Sequence, residues 1–135
     1  MRKPRRPPGS AEAHPRDSRD PIVEHEQRGG MRLERRLRVP EALAFFDGHF
    51  PDFPVVPGTV QLGWAIHGLE ALQGRTAQVR SVEALKFPAL LRPGDVAVLK
   101  LEVSEDGSRM HFDLEAPGET TRVFASGRCT LGKAP

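Results

Sequence analysis

The sequence predicts an α+β fold in which an antiparallel sheet curls around one central helix. Three observations lead there. One stretch, Thr59 to Gln73, is apolar almost all round a helix, the pattern of a helix enclosed by other structure. Five other segments read as strands, and three of them alternate apolar and polar residues at the period of a half-buried strand. Gly- and Pro-bearing turn signals punctuate the second half of the chain.

The chain has 135 residues, room for one ordinary domain. Residues 1–30 carry 7 of its 20 Lys and Arg, 5 of its 18 Asp and Glu and 5 of its 13 prolines. Past Met1 their only large aliphatic residues are Ile22 and Val23. Such a segment buries too little apolar surface to offset its ordering entropy, so residues 1–30 are expected to be a disordered leader and 31–135 the domain. No aromatic residue is interleaved with Arg2, Lys3, Arg5 and Arg6 to stack on bases, which argues against a nucleic-acid arm. The body is neutral, with 13 residues of each sign, a balance unsuited to nucleic acid or a membrane surface. No apolar run approaches the roughly 18 residues of a membrane span. The basic start MRKPRRPP lacks the apolar segment of a secretory signal. A cytoplasmic protein is the expectation. With Cys129 as the one cysteine there is no internal disulfide or Cys-based zinc cluster to build.

The first strand is expected at Met31–Val39, where Met31, Leu33, Leu37 and Val39 face one way; Pro40 ends it. Pro57 and Gly58 stand where the helix would start and Gly74 where it would stop. Strands follow at Val79–Phe87 and at Val96–Ser104, the latter entered through Arg92-Pro93-Gly94-Asp95. Asp106-Gly107, a hairpin signal, leads into Arg109–Ala116, and Pro117-Gly118 turns the chain again. The last strand places Val123, Ala125, Gly127, Cys129 and Leu131 on one face. These four strands are expected to form a meander, with Cys129 a small buried hydrophobe and Trp64 in packing.

The segment before the helix carries the chemistry. Phe45 to Gly58 holds three prolines, two glycines, four phenylalanines and one histidine. Proline fixes φ and the rings can bury, so the loop is rigid. It sets one imidazole, His49, beside the orphan amides of a helix N-terminus, a base next to an oxyanion site. The residues alone also fit a structural histidine. His14, His25 and His111 show no metal-ligand spacing with Cys or acids, so no metal or other cofactor is expected.

Gly48-His49-Phe50-Pro51-x-x-Pro54-x-x-Pro57-Gly58 followed by an apolar helix resembles the signature of the 3-hydroxyacyl-[acyl-carrier-protein] dehydratases of the FabA/FabZ type, which are hot-dog folds. The continuation Gln61-Leu62-x-Trp64-Ala65 is most similar to the ApeI-like branch, associated with aryl-polyene and related lipid pathways. Lys86-Phe87, Leu91-x-Pro93-Gly94-Asp95 and Gly127 fall where that family has strand-entry motifs. The likeness covers about residues 31–132.

The resemblance implies dehydration of a 3-hydroxyacyl thioester on acyl carrier protein to the trans-2-enoyl thioester. It implies His49 as the base removing the C2 proton, with the Val55 carbonyl holding its other ring nitrogen and the Gly58 N–H meeting the thioester oxygen, Thr59 beside it. In the family a helix carboxylate from the other subunit protonates the departing hydroxyl. At that position this chain has Gly63. His67 and Glu70, on the same helical stripe, and Asp52 in the loop are the substitutes at hand; a water or another subunit's acid are further sources. The resemblance implies a homodimer or higher oligomer, or a heterodimer with another hot-dog subunit. Two other functions stay open: a degenerate, non-catalytic subunit that binds acyl chains or pairs with an active paralogue, and an acyl thioesterase. Leu85, Phe87 and Leu90 are expected near the acyl tunnel.

Overall fold

A computed structural model describes residues 20–41, 54–118 and 122–132. Among them are six strands and one helix: β1 Ile22–Gly29, β2 Arg32–Arg38, α1 Gly58–Gln73, β3 Val79–Lys86, β4 Val96–Val103, β5 Arg109–Glu115 and β6 Val123–Leu131. They form one antiparallel sheet in the order β1-β2-β4-β5-β6-β3, with α1 against β2, β4 and β6. The expected α+β fold is what forms.

Two expectations are corrected. The ordered body starts before residue 31, because Ile22–Gly29, assigned to the leader, is strand β1 paired along β2. Burial does not make this strand; its residues are mostly exposed. Its carboxylates meet the arginines opposite. Glu26 takes Arg35 and Arg28, each at 2.6 Å, and Glu24 takes Arg38 at 2.6 Å and Arg36 at 3.4 Å. Arg28 also donates to the Ala71 carbonyl at 2.8 Å, tying the edge strand to the end of α1. Residues 1–19 lie outside the described residues.

The second correction concerns the meander. β4, β5 and β6 do run as one, but β3 pairs with β6 and not with β4. The helix crosses the sheet and delivers β3 to the far edge, while β2 takes β4 as its neighbour. A bulge between Glu83 and Lys86 interrupts the β3 ladder, with Ala84 at φ 54°.

The helix is bounded as its sequence indicates. Pro57 is extended at φ −60° and ψ 147°, Gly74 is left-handed at φ 73°, and the Gly74 N–H donates to the Glu70 carbonyl at 2.7 Å. Gln61, Trp64, Ala65, Gly68 and Leu69 are buried, facing a core that includes Leu33, Leu99, Leu101, Phe112 and Cys129. The helix packs tightly on the sheet at Gly68, where a Cβ would be 3.0 Å from Leu99 and 3.1 Å from Leu101. A side chain there would lift the helix off the sheet. The enclosure is one-sided in the single chain: Leu62 and Ile66 are only partly buried, and Thr59 and His67 are exposed.

Candidate active site

The segment entering α1 is held by its backbone. The Val56 N–H donates to the Leu91 carbonyl at 2.7 Å, and the Val56 carbonyl accepts from Gln61 Nε2 at 3.1 Å. The peptide unit is planar and trans, and the chain has no cis peptide among its described residues. The Val56 N–H and the Val55 carbonyl belong to the same plane and point opposite ways. Anchoring the N–H on Leu91 therefore directs the Val55 carbonyl away from Leu91. Gln61 fixes the next plane. Val56, Gln61 and Leu91 are all buried, so both anchors are shielded from competing water.

Two residues on, the helix begins. The amides of Val60 and Gln61 already reach the Pro57 carbonyl, at 3.0 and 3.2 Å. The Gly58 and Thr59 amides precede any intrahelical acceptor and sit at the positive end of the helix dipole. Among the described residues no side chain caps them. The Phe87 ring lies on Gly58 so closely that a Cβ there would be 2.7 Å from Cζ. A carbonyl directed away from Leu91 and the first amides of the helix thus lie three residues apart on one anchored segment. Together they can orient an imidazole and receive a developing oxyanion.

Gly63 stands on α1 five residues further, about 7.5 Å along the axis at 1.5 Å per residue. No described atom lies within 4 Å of where its Cβ would be. His67, one turn on, is exposed and borders a cavity of about 320 Å³ with Trp64, Arg35, Leu37 and Val23. Glu70 has a structural job: its Oε2 accepts the Ala77 N–H at 2.9 Å, closing the turn after the helix. His49 and Asp52 lie outside the described residues. Trp64 is buried in the core. Cys129 is buried too, and burial pushes its thiol up from the ordinary value. Leu85, Phe87 and Leu90 are exposed, and of these Phe87 lies against Gly58 at the start of the helix.

Sequence reasoning gave no role to Gln61 or to the Leu91 carbonyl. A glutamine among the inward positions of an apolar helix was the available signal. Arg35 was also passed over: it occupies the inward slot between Leu33 and Leu37, where its guanidinium meets Glu26.

Comparison with known proteins bears on the same segment. The family described as ApeI-like, ApeI dehydratase, matches residues 24–128. The chain belongs to the ApeI-like dehydratase family. Among curated relatives of this ApeI-like chain, the 3-hydroxyacyl-[acyl-carrier-protein] dehydratase FabZ of Caldanaerobacter subterraneus subsp. tengcongensis is 34% identical over 98 residues, 67% of each chain. The FabZ of Desulforamulus reducens is 32% identical over 123 residues, 81% of this chain and 85% of that one. Others are matched over about half of their length, 47% for the FabZ of Lactobacillus helveticus. Among solved structures, the dehydratase heterocomplex ApeI:P from Xenorhabdus doucetiae superposes with a TM-score of 0.75 at 26% identity, covering 84% of this chain and 99% of that chain. The E. coli PaaI protein from the phenylacetic acid degradation operon, at 16% identity and a TM-score of 0.57, covers 84% of this chain and 82% of that one. It shares the hot-dog fold. Among the described residues no helix is long and apolar enough to cross a membrane.

Proposed function

We propose that this ApeI-like protein is a cytoplasmic hydro-lyase that dehydrates 3-hydroxyacyl thioesters carried by acyl carrier protein, in fatty-acid or aryl-polyene-like lipid synthesis. The observation that carries the reading is the pinned Val55–Val56 peptide running directly into the orphan amides at Gly58. In this reading His49 is held by the Val55 carbonyl through one ring nitrogen and uses the other to take the C2 proton. The electrons left on C2 spread onto the thioester oxygen, which the Gly58 N–H stabilises. They then form the C2–C3 double bond as the C3–O bond breaks, and the hydroxyl leaves with a proton as water. The proton comes from water in the space at Gly63, from His67, or from a carboxylate of another subunit. The FabZ names support an acyl-carrier-bound substrate.

The test runs the reaction backwards: hydration of a 2-enoyl thioester by purified protein and by its His49→Ala variant. A rate that collapses in the variant supports the reading, and equal rates remove it.

Gly63 favours a second reading. A homodimer built like the family's would lack the helix carboxylate in both sites, whereas pairing with a carboxylate-bearing hot-dog subunit completes the site around this chain's His49. The matched ApeI:P structure is a dehydratase heterocomplex. Hydration seen only on mixing with such a subunit, and lost with His49→Ala, selects heterodimer over homo-oligomer.

A further inference from the structure

We infer that Gln61 is a positioning residue, whose side-chain amide holds the Val55 carbonyl in the direction that orients His49; this rests on the dehydratase reading above. Gln61 never meets the reacting atoms in this scheme. It acts through the backbone.

The argument starts from an anomaly. Gln61 is 4% exposed, in a helix face otherwise given to Trp64, Ala65, Gly68 and Leu69. Its Nε2 donates to the Val56 carbonyl at 3.1 Å, but its Oε1 is buried with no partner among the described residues. An unsatisfied buried acceptor costs stability, and an apolar side chain of the same shape avoids that cost. Methionine or leucine would remove that cost but leave the buried Val56 carbonyl without its side-chain donor. The amide is retained for the bond it does make, a bond to the loop and not to the helix.

That bond has a defined consequence. Val56 carries two peptide planes, one shared with Val55 and one with Pro57. The Leu91 carbonyl fixes the first through the Val56 N–H, and Gln61 fixes the second through the Val56 carbonyl. With both planes held, the φ and ψ of Val56 have no freedom, and the Val55 carbonyl cannot turn. Pro57 adds its fixed ring torsion on the helix side. Without Gln61, the second plane loses its side-chain anchor, and the first is left with a single hydrogen bond. The Gly58 amides remain, because helix geometry sets them. Only the carbonyl half of the site loosens.

The experiment uses the full chain with Gln61→Met, and Gln61→Leu as the second variant. Two readouts are taken: the thermal midpoint, and the ring-nitrogen NMR signals of His49, assigned by their disappearance in His49→Ala. Wild type should show one protonated and one bare ring nitrogen, the mark of a single tautomer. The variants should melt only modestly lower than wild type, because the Val56 carbonyl loses its partner while the unpaired Oε1 goes with the amide, yet show the two signals drawn together by tautomer averaging. Where hydration is measurable, kcat should fall by up to about 10²-fold, the scale of a misplaced catalytic group, with KM little changed. Averaged signals already in wild type would remove the orienting role of Val55 and the inference with it. A fixed tautomer that persists in both variants overturns the inference alone. So does a large fall in melting temperature in both, which would make the amide structural.

Discussion

Replacing Gly63 with glutamate asks whether this chain lacks only a proton donor. No described atom lies within 4 Å of the Cβ position, so the substitution needs no repacking there. Glycine inside a helix is about 0.8–1 kcal/mol worse than alanine, and glutamate is among the good helix formers. The variant should therefore be more stable by about half a kcal/mol. A general acid contributes roughly 10²–10⁴ in rate, equivalent to about 2.7–5.4 kcal/mol at 1.36 kcal/mol per tenfold. The control is Gly63→Gln, of the same shape and propensity but with no acidic proton. Hydration of a 2-enoyl thioester, followed by loss of the conjugated double bond, should rise at least a hundredfold in Gly63→Glu over Gly63→Gln. A folded, stabilised Gly63→Glu that hydrates no faster than its glutamine control would refute the reasoning, and would mean that position 63 does not face the departing hydroxyl.

Glu70→Ala should cost about 0.5–1.5 kcal/mol, the worth of the lost hydrogen bond from Ala77, and leave hydration unchanged; a matching loss of rate would return Glu70 to the list of proton donors. Gly58→Ala drives a Cβ to within 2.7 Å of the Phe87 ring, and as that ring is 41% exposed and free to swing, the cost should fall near the low end of about 1–3 kcal/mol. Phe87→Ala should relieve that clash, so chemical denaturation of the double variant should show less than the sum of the two single losses. The Asp106 carboxylate accepts the Ser108 N–H at 3.0 Å and the Ser108 and Ser104 hydroxyls at 2.8 Å, which lower its pKa from 3.8 to about 2. Arg35 and Arg28 lower Glu26 in the same direction from 4.5. A depressed pKa gives stability that is whole above the unfolded value and lost as pH falls through the folded one. Melting temperature should drop on acidification below pH 4.5, and Asp106→Asn should flatten the part between 3.8 and about 2; an unchanged slope there would discount the turn.

What could be read from the sequence was what local chemistry decides. The ends of α1 were legible because Pro57 and Gly74 act on their own torsions. β5 was legible because Met110, Phe112 and Leu114 share a face whatever lies beside them. The misreadings fall where a partner decides. β1 looks like a disordered leader because it is held by its backbone ladder and ion pairs to β2, and a polar edge strand has no apolar period to betray it. β3 could not be placed at the far edge, because its residues do not record that the helix crosses the sheet. At the site the family motif marked Gly58 and Val55, yet the clamp on Val56 draws on Leu91, a residue 35 positions away, and a backbone carbonyl leaves no trace in a side-chain pattern.

The glycines separate fold from chemistry. Gly58 is crowded by Phe87, Gly68 by Leu99 and Leu101, and Gly127 by Phe112 and Leu85, each with room for no Cβ without a shift. Close packing by neighbouring side chains gives each of the three a reason in the fold. Gly63 has no such reason among the described residues, and as a helix-interior glycine it lowers stability. The chemistry of the proposed site is otherwise carried largely by backbone, the Val55 carbonyl and the Gly58 amide, whose directions depend on Leu91, Gln61 and the start of the helix. Those groups survive side-chain changes that leave the Gln61 and Leu91 anchors and the start of the helix in place. Position 63 is the opposite case: in the proposed dehydratase reading a side chain would act there, while the described residues put no steric demand on it. An acid can therefore vanish there without disturbing the strands, the core or the oxyanion end of the helix. In that reading, restoring a carboxylate, in place or from another subunit, should raise hydration without further redesign.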